Sequence, residues 1–493
     1  MGLDAPDEIR AKRARPPLPA RALPLLLWAM PLGSTLAATP AIMRGLGAEA
    51  YGAYTIAMAV AIFAVLPSPG AAVARFRSGA TDGSALAVLG RRVGALLIVA
   101  VLLNVILIAV PAATVALRPF LPTPSLQALV VLAIAWLVLS SVLSQLLLAL
   151  LQARGRWSQG AMIALAASIS APIVAALIAT AGAAWPLVML GQASVLFCGF
   201  VALMAAQRGP SPGGSSAGDV ARPSAIAGFM ARTTLSSAIG ALMAISERWL
   251  IGSRFGADTA GYFALAMSLA LLVHAFVLAL NIRLPGLLAA GRLHTGRDGL
   301  VPIYDRAVRI SALAACLALA LIVARGETFV RVWLGEQAGL LVQPYLIGLS
   351  ISNFAMATIV PAWMLAEATG NERANVALMF VLIGGWATAI ALALVPLGAQ
   401  AVVAGRLFAL VAVPAAIVLI EGRALGSVRL RLWGRLLPRL ALGAAAAVAA
   451  SLLMPSEGLA GLLLGGALTA LVYAAVTWTL GLWQLDDLQV LGS

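Results

Sequence analysis

Charged residues are scarce in this 493-residue chain, and acidic residues are the scarcest of them. Only 10% of the residues are charged, with 18 acidic against 32 basic side chains, while 62% are hydrophobic. Soluble globular domains carry about 25% charged residues, so this composition excludes them. Apolar runs of about 20 residues, the length that crosses a hydrocarbon core, recur from end to end. The sequence therefore predicts an all-α polytopic membrane protein.

Cysteine and histidine are nearly absent. The two cysteines, Cys198 and Cys316, both lie in apolar spans, where a buried thiol is favoured over a disulfide. The two histidines, His274 and His294, have no cluster of cysteines or acids beside them, so we expect no metal site and no cofactor. His274 lies in mid-span, where a packing hydrogen bond is favoured and a proton relay is the alternative.

Two further classes of protein do not fit the sequence: membrane β-barrels and enzymes with a soluble catalytic domain. The run LQALVVLAIAWLVLSSVLSQLLLALL is continuously apolar, whereas the strands of a membrane β-barrel alternate. No predicted outer loop is long enough for a soluble catalytic domain, so we expect no enzyme activity.

The basic N-terminal stretch resembles a secretory signal, but the apolar segment continues to about Met43 and another hydrophobic helix follows. We therefore interpret it as an uncleaved first span.

Hydropathy windows predict about 14 transmembrane helices. Their approximate ranges are 21–43, 51–72, 93–115, 127–151, 160–181, 184–206, 225–251, 259–283, 307–324, 340–366, 375–397, 399–421, 439–455 and 458–480. With the N-terminus inside, most basic residues face the cytoplasm, as the positive-inside rule requires, and both termini are cytoplasmic. Five arginines then fall on outer loops: Arg44, Arg118, Arg254, Arg325 and Arg331.

The spans divide the chain into two lobes and a C-terminal pair of helices. The stretch QRGPSPGGSSAGDVARPS is rich in Gly, Ser and Pro and is typical of a flexible linker. The predicted parts are a basic cytoplasmic tail (1–20), an N-lobe (21–206), the linker (207–224), a C-lobe (225–421), a basic cytoplasmic loop (422–438), spans 13 and 14 (439–480) and a cytoplasmic tail (481–493).

An internal repeat relates the two lobes. LGAEAYGAYTIAM at 46–58 returns 209 residues later as FGADTAGYFALAM at 255–267, and LQARGRW at 151–157 resembles AEATGNER at 366–373. Both echoes are six spans apart, an even number, so the lobes have the same orientation and form a parallel pseudo-two-fold repeat. The glycines of the first echo are interpreted as structural hinge turns rather than ligand contacts: Gly47, Gly52, Gly256 and Gly261.

Ionisable residues inside a membrane are default functional candidates. Arg232 shares one face of span seven with Ser236, Gly240, Met243 and Glu247, and because Glu247 is 15 residues away it needs another anion, a carbonyl cluster or water. Glu247 and Arg248 lie near the outer end of the span, where a structural salt bridge with Arg254 or Asp258 is favoured.

Four further residues complete the candidate substrate site. Arg406 is buried in span 12, while Arg75 closes span two and Arg283 closes span eight; for the last two a positive-inside anchor is the alternative. Gln145 on span four suits a sugar hydroxyl or an interhelical hydrogen bond equally. Spans one to six carry no acid within the hydrocarbon, so an anionic substrate is favoured over a cation.

The motifs resemble a known family. LGAEAYGAY, followed by an apolar helix and PSPGAAVARFRSG, resembles the opening of the polysaccharide-biosynthesis flippases of the multidrug/oligosaccharidyl-lipid/polysaccharide (MOP) exporter superfamily. ISERWLIGSRFGADTAGYFALAM, with Glu247 and Arg248 ahead of Gly261 and Tyr262, resembles the second-lobe signature, and NIRLPGLLA, with Pro285, resembles the end of span eight. The resemblance covers most of the chain and implies a Wzx-like flippase with a MATE/MurJ-like fold.

This resemblance implies transport of an undecaprenyl-diphosphate-linked oligosaccharide across the bacterial inner membrane by alternating access. In relatives that flip the peptidoglycan precursor, arginines on spans one, two and eight contact the diphosphate. Here span one has no interior arginine; Arg75 and Arg283 are the nearest matches, and Arg232 takes the missing role. The departure favours an exopolysaccharide, capsule or O-antigen repeat unit.

The expected partners are that lipid-linked substrate, bilayer lipids and, as a further candidate, polysaccharide polymerase machinery, without nucleic acid. The alternatives are a MATE-type drug or cation antiporter of the same superfamily and a membrane polysaccharide polymerase or glycosyltransferase.

Overall fold

The computed structural model of the chain describes residues 18–64, 92–96, 98–99, 123–153, 156–207, 222–281, 284–455 and 457–483. Within these ranges every regular element is a helix, as predicted. The N-terminal half contains α1 (Leu18–Leu46), α2 (Ala48–Ala64), α3 (Pro124–Ala153), α4 (Trp157–Thr180) and α5 (Trp185–Gln207). Most of predicted span three (93–115) lies outside the described residues.

The described residues of the C-terminal half form ten helices of nine residues or more. They are α6 (Pro223–Phe255), α7 (Ala257–Leu280), α8 (Leu284–Thr295), α9 (Leu300–Leu334), α10 (Glu336–Thr369), α11 (Glu372–Leu397), α12 (Ala401–Ala409), α13 (Ala412–Leu425), α14 (Leu430–Ser451) and α15 (Gly458–Thr479). A 3₁₀ turn, Gly398–Gln400, separates α11 from α12. The break falls between predicted spans 11 and 12, and α12 with α13 forms the twelfth.

Helix length agrees with a membrane environment. Ten stretches of the described residues are long and apolar enough to cross a membrane, and one of them, Glu372–Leu425, contains 54 residues. A single crossing needs only about 20 residues, so this stretch with its 3₁₀ turn suffices for two. The protein is thus a multi-span helical membrane protein.

The helices pack as two lobes with a peripheral pair. In the first half α1 packs on α4 and α3 on α5; in the second half α9 packs on α10, and α10 on α7. Helices α14 and α15 pack on each other and both contact α9, so they belong structurally to the second half. Buried apolar residues of both halves form one continuous cluster, which joins the lobes.

Two features of the second half correct the sequence analysis. Arg325 and Arg331, expected on an outer loop, lie inside α9, which extends well beyond the predicted span 307–324. Hydropathy windows stop at charged residues, whereas a helix continues where those charges find partners in the fold. Helix α8, which starts one residue before Pro285, was not predicted; its proline occupies the first turn, where a missing N–H costs nothing.

Candidate functional site

The repeated turn adopts the same backbone geometry in both lobes. Gly47 and Gly256 have φ values of +80° and +100°, a conformation that residues with a side chain rarely adopt. The N–H of Tyr51 donates to the carbonyl of Gly47 at 3.0 Å, and the N–H of Ala260, its counterpart 209 residues later, donates to Gly256 at 3.2 Å. Each glycine therefore ends one helix and starts the next.

The second echo also repeats its backbone hydrogen bond. The N–H of Arg156 donates to the carbonyl of Leu151 at 2.9 Å, and the N–H of Asn371 donates to that of Ala366 at 2.7 Å. Leu151 and Ala366 begin the two aligned segments, and Arg156 and Asn371 are both five residues further on. The shared hydrogen bond therefore supports a structural repeat at the second echo as well.

The helices that follow the two turns meet across the lobe interface. Gly52 and Gly261, predicted as hinge turns, lie inside these helices instead. A Cβ atom added to Gly52 on α2 would overlap the carbonyl oxygen of Ala257 on α7, and one added to Gly261 would lie 3.0 Å from the carbonyl oxygen of Ala48. Ala48 and Gly52 form one small-xxx-small pair, and Ala257 and Gly261 form the equivalent pair. Small residues at this spacing let two helix backbones approach closely in a membrane. We call this contact the glycine crossing.

A second contact joins the lobes near the same end of the molecule. The indole Nε1 of Trp333, close to the end of α9, donates to the carbonyl oxygen of Leu36 on α1 at 3.0 Å. By the predicted orientation both contacts lie toward the outer face. The lobes are therefore held together at their predicted outer ends.

Glu247 and Arg406 form a buried bidentate ion pair. The guanidinium Nε and Nη2 of Arg406 lie 2.6 and 2.7 Å from the two carboxylate oxygens of Glu247, and the two residues are 8% and 0% exposed. The expected salt bridge between Glu247 and Arg254 is wrong, because Arg254 is exposed at the end of α6 and Arg406 binds both oxygens of Glu247. The cation comes instead from α12, far away in sequence.

Arg248, the neighbour of Glu247, points into a cavity in the second half. The cavity has a volume of about 360 Å³ and is lined by Arg248 and Arg406 together with His274, Ser352, Asn353, Ala59 of α2 and apolar residues of the second half. The Nε of Arg248 is buried and has no hydrogen-bond partner among the described residues. We call this cavity the C-lobe pocket.

Arg232 lies close to a carboxylate that the sequence analysis did not assign to it. Its Nε is 3.7 Å from the carboxylate of Glu372 at the start of α11, too far for a hydrogen bond. The side chain of Arg232 is 37% exposed, while that of Glu372 is 6% exposed. Arg232 is therefore a partly exposed cation that is only loosely paired with Glu372.

Three predicted site residues remain: Arg75, Arg283 and Gln145. Arg75 and Arg283 lie outside the described residues. Gln145 has an exposed side chain on α3 and is absent from the lining of the C-lobe pocket.

Sequence reasoning missed a buried carboxylate at the opposite end from the glycine crossing. Glu421 is fully buried and accepts hydrogen bonds from the Tyr304 hydroxyl at 2.8 Å, the Trp433 indole at 2.9 Å and the Arg429 N–H at 2.7 Å. The Arg429 side chain pairs with Asp305, and that hydrogen bond raises the pKa of Arg429. The available signal was an acid directly before the arginine-rich basic loop. The cluster fixes the start of α14 to α9 and α13.

Metal binding has no support in the part of the chain that the structure describes. No group of three His, Cys, Asp or Glu side chains there is placed to hold an ion. Cys316 is a buried free thiol, as predicted, whereas the free thiol of Cys198 is exposed on α5, so the prediction of a buried thiol is wrong there.

Comparison with known proteins identifies the chain's relatives. A family model described as "Polysaccharide biosynthesis protein" matches residues 42–339. No curated protein matches the sequence. Among solved structures, the lipid II flippase MurJ in an inward closed conformation superimposes with a TM-score of 0.64 at 11% identity, covering 92% of this chain and 98% of that one.

MATE transporters share the same fold. A eukaryotic MATE transporter superimposes with a TM-score of 0.63 at 13% identity, over 84% of this chain and 98% of that one. The MATE transporter VcmN of Vibrio cholerae in its bent form gives 0.54 at 19% identity, over 83% and 97%. At such identities the likeness shows the fold, and the predicted MATE/MurJ-like architecture is confirmed.

Proposed function

The chain belongs to the polysaccharide biosynthesis protein family, and from that membership we propose that it is a flippase for an undecaprenyl-diphosphate-linked oligosaccharide. The family and fold are those of multi-span membrane transporters rather than enzymes. The proposed cargo is the repeat unit of an exopolysaccharide, capsule or O-antigen, moved from the inner to the outer leaflet of the bacterial inner membrane. Both termini lie in the cytoplasm in this proposal.

The glycine crossing is the observation that carries the proposal. It joins two helices related by the internal repeat, through residues without side-chain bulk, at the predicted outer ends of the lobes. A contact made of small residues is close when formed and has no interlocking side chains to disentangle when the lobes separate. A transporter that works by rocking two parallel lobes needs such a contact to close and reopen its outer side.

Arg232 is the proposed first contact for the diphosphate. It lies near the predicted cytoplasmic end of α6, partly exposed and loosely paired with Glu372 at 3.7 Å. A diphosphate carries more charge than one carboxylate and offers oxygens for bidentate hydrogen bonding to a guanidinium. It therefore competes with Glu372 for Arg232. Arg75 and Arg283 remain predicted partners of the same anion.

The paired state of Glu247 counts against cation or drug antiport. An antiporter for cations needs a membrane carboxylate that is free to bind the ion or the exchanged proton. Glu247 is the buried acid of α6, and Arg406 occupies both of its oxygens. In the described spans of the N-lobe, the one acid is Glu49, which is exposed at the start of α2.

The proposal is tested by deleting the gene and measuring lipid-linked sugars in each leaflet of the inner membrane. We expect the oligosaccharide to accumulate on the inner leaflet and surface polysaccharide to disappear. Restoring the wild-type gene should reverse both effects. Unchanged glycolipid and polymer in the deletion strain would refute the flippase function, and loss of drug resistance alone would favour the antiporter.

A matched pair of variants tests the site. Arg232→Ala should abolish surface polysaccharide while the protein remains in the membrane, because the diphosphate loses its first cation. Arg222→Ala, which removes an exposed arginine just before α6, should leave polymer near the wild-type amount. Normal polymer from Arg232→Ala would remove Arg232 from the mechanism.

A further inference from the structure

The C-lobe pocket combines one uncompensated positive charge with apolar walls. Arg248 and Arg406 are its charged lining residues. Both guanidinium–carboxylate hydrogen bonds of the buried ion pair join Arg406 to Glu247, so that pair contributes no net charge. Arg248 is left as the net cation of the cavity.

Two polar atoms at this cavity lack hydrogen-bond partners in the part of the chain that the structure describes. The buried Nε of Arg248 and the buried Nδ1 of His274 have no hydrogen-bond partner among the described residues, although the imidazole also bonds to the Met356 backbone. Buried polar atoms are nearly always paired in folded proteins. Two such atoms lining one cavity indicate that a ligand with polar groups completes their hydrogen bonding.

The rest of the wall is apolar and adaptable. Four methionines line the pocket: Met243, Met267, Met356 and Met379. Methionine side chains are flexible and polarizable, and they suit ligands with an apolar body of irregular shape. A bare sugar would find few hydrogen-bond partners on such a wall, whereas a hydrocarbon chain would be well accommodated.

We propose that the C-lobe pocket binds an amphipathic anion: a phosphate group on Arg248, with the attached apolar chain along the methionine wall. Guanidinium is well suited to phosphate because its N–H groups bind two phosphate oxygens at once. Ala59 of α2 completes the lining, so the ligand contacts both lobes. The phosphate-bearing chain has two sources, a prenyl phosphate or a membrane phospholipid.

Native mass spectrometry of the full chain released from detergent measures this binding directly. The probes are farnesyl phosphate, farnesol as the same chain without charge, inorganic phosphate as the charge without a chain, and phosphatidylglycerol. We expect saturable binding of farnesyl phosphate or phosphatidylglycerol, and much weaker binding of farnesol and inorganic phosphate. Retention of farnesyl phosphate would identify a prenyl phosphate as the source, and retention of phosphatidylglycerol alone a phospholipid.

Variants assign the binding to this pocket. Arg248→Gln should weaken it about tenfold, the effect of losing one charged hydrogen bond, and Arg248→Lys should weaken it less. Arg254→Gln, at an exposed position of the same helix, should leave binding unchanged. Gly240→Leu fills the pocket, since a Cβ there already meets Met379 at 2.9 Å, and should abolish binding while Arg248 is retained.

Two outcomes would overturn the proposal. One is binding of farnesol as tight as that of farnesyl phosphate. The other is binding of both phosphate-bearing probes that Arg248→Gln and Gly240→Leu leave unaltered, with all variants eluting as folded protein. Neither outcome tests the flippase function, which is tested separately by measuring the glycolipid in each leaflet.

Discussion

At the scale of single residues, burial decides what the charged side chains of this membrane protein do. A charge in a low-dielectric interior is costly unless a partner lies at hydrogen-bond distance. Glu247 and Arg406 satisfy that condition with two bonds, whereas Arg232 is 37% exposed and 3.7 Å from its carboxylate. The first pair is structural, and the second is open to exchange with a ligand.

Breaking the buried pair on one side should destabilise the protein more than removing both charges. Arg406→Gln leaves Glu247 buried without a cation, and loss of one partner costs about 3 to 5 kcal/mol. The double variant Glu247→Gln, Arg406→Gln buries no charge and should recover most of that loss. Thermal denaturation of the purified protein measures both. Equal destabilisation by the single and double variants would contradict a direct pair.

At the scale of helices, close packing of backbones replaces the hydrophobic effect as the reason two elements associate in a membrane. The glycine crossing is one case, because α2 and α7 approach each other at Gly52 and Gly261, which have no side chains. Arg325 provides another. It is buried in α9, and its guanidinium donates to the carbonyl of Pro455 at 3.0 Å and to that of Ser451 at the end of α14.

A methyl group at the glycine crossing should push the two helices apart. Gly52→Ala places its Cβ against the backbone of α7, which cannot yield by a rotamer change, while Gly261→Ala leaves 3.0 Å to Ala48. We expect Gly52→Ala to reduce surface polysaccharide more than Gly261→Ala. Gly466→Ala on α15, where a Cβ meets nothing within 4 Å, is the control. Equal activity of all three variants would show that the crossing has no role.

Removing the Arg325 guanidinium should loosen α14 and α15 from α9. Arg325→Met retains the apolar stem but leaves the carbonyls at the end of α14 without a charged donor, a loss of about 2 kcal/mol. Limited proteolysis of the purified protein should then cleave between α14 and α15 sooner than in the wild type. Arg331→Met, at a more exposed position of the same helix, should not change that rate.

At the scale of the whole molecule, two lobes of like orientation meet at symmetry-related turns, and function is proposed to follow from their separation. Their contacts at the predicted outer ends come from α2 with α7 and from Trp333 with Leu36. The C-lobe pocket lies deeper, between Arg248 and Ala59 of α2. A rigid link across the crossing should therefore arrest any cycle that needs the outer ends to part.

A disulfide between α2 and α7 provides that link. With Cys198 and Cys316 replaced by alanine, Ala48→Cys with Gly261→Cys should cross-link on mild oxidation, because the Gly261 Cβ position is 3.0 Å from the Ala48 carbonyl. Surface polysaccharide should stop forming under oxidation and resume after reduction. Either single cysteine variant should be insensitive to the oxidant. Continued polymer synthesis by the cross-linked protein would refute alternating access by opening of the glycine crossing.

The sequence by itself determined the helical membrane class, the helices at those predicted spans that the described residues cover, and the repeated glycine turns. These properties are local: apolar length sets a span, and a glycine at positive φ sets a turn, wherever the rest of the chain lies. Tertiary structure alone decided the partner of Glu247, which is 159 residues away, the burial of Arg325 inside α9 and the pocket around Arg248. Such pairings depend on which faces of distant helices pack together, and no periodicity within one helix records that choice.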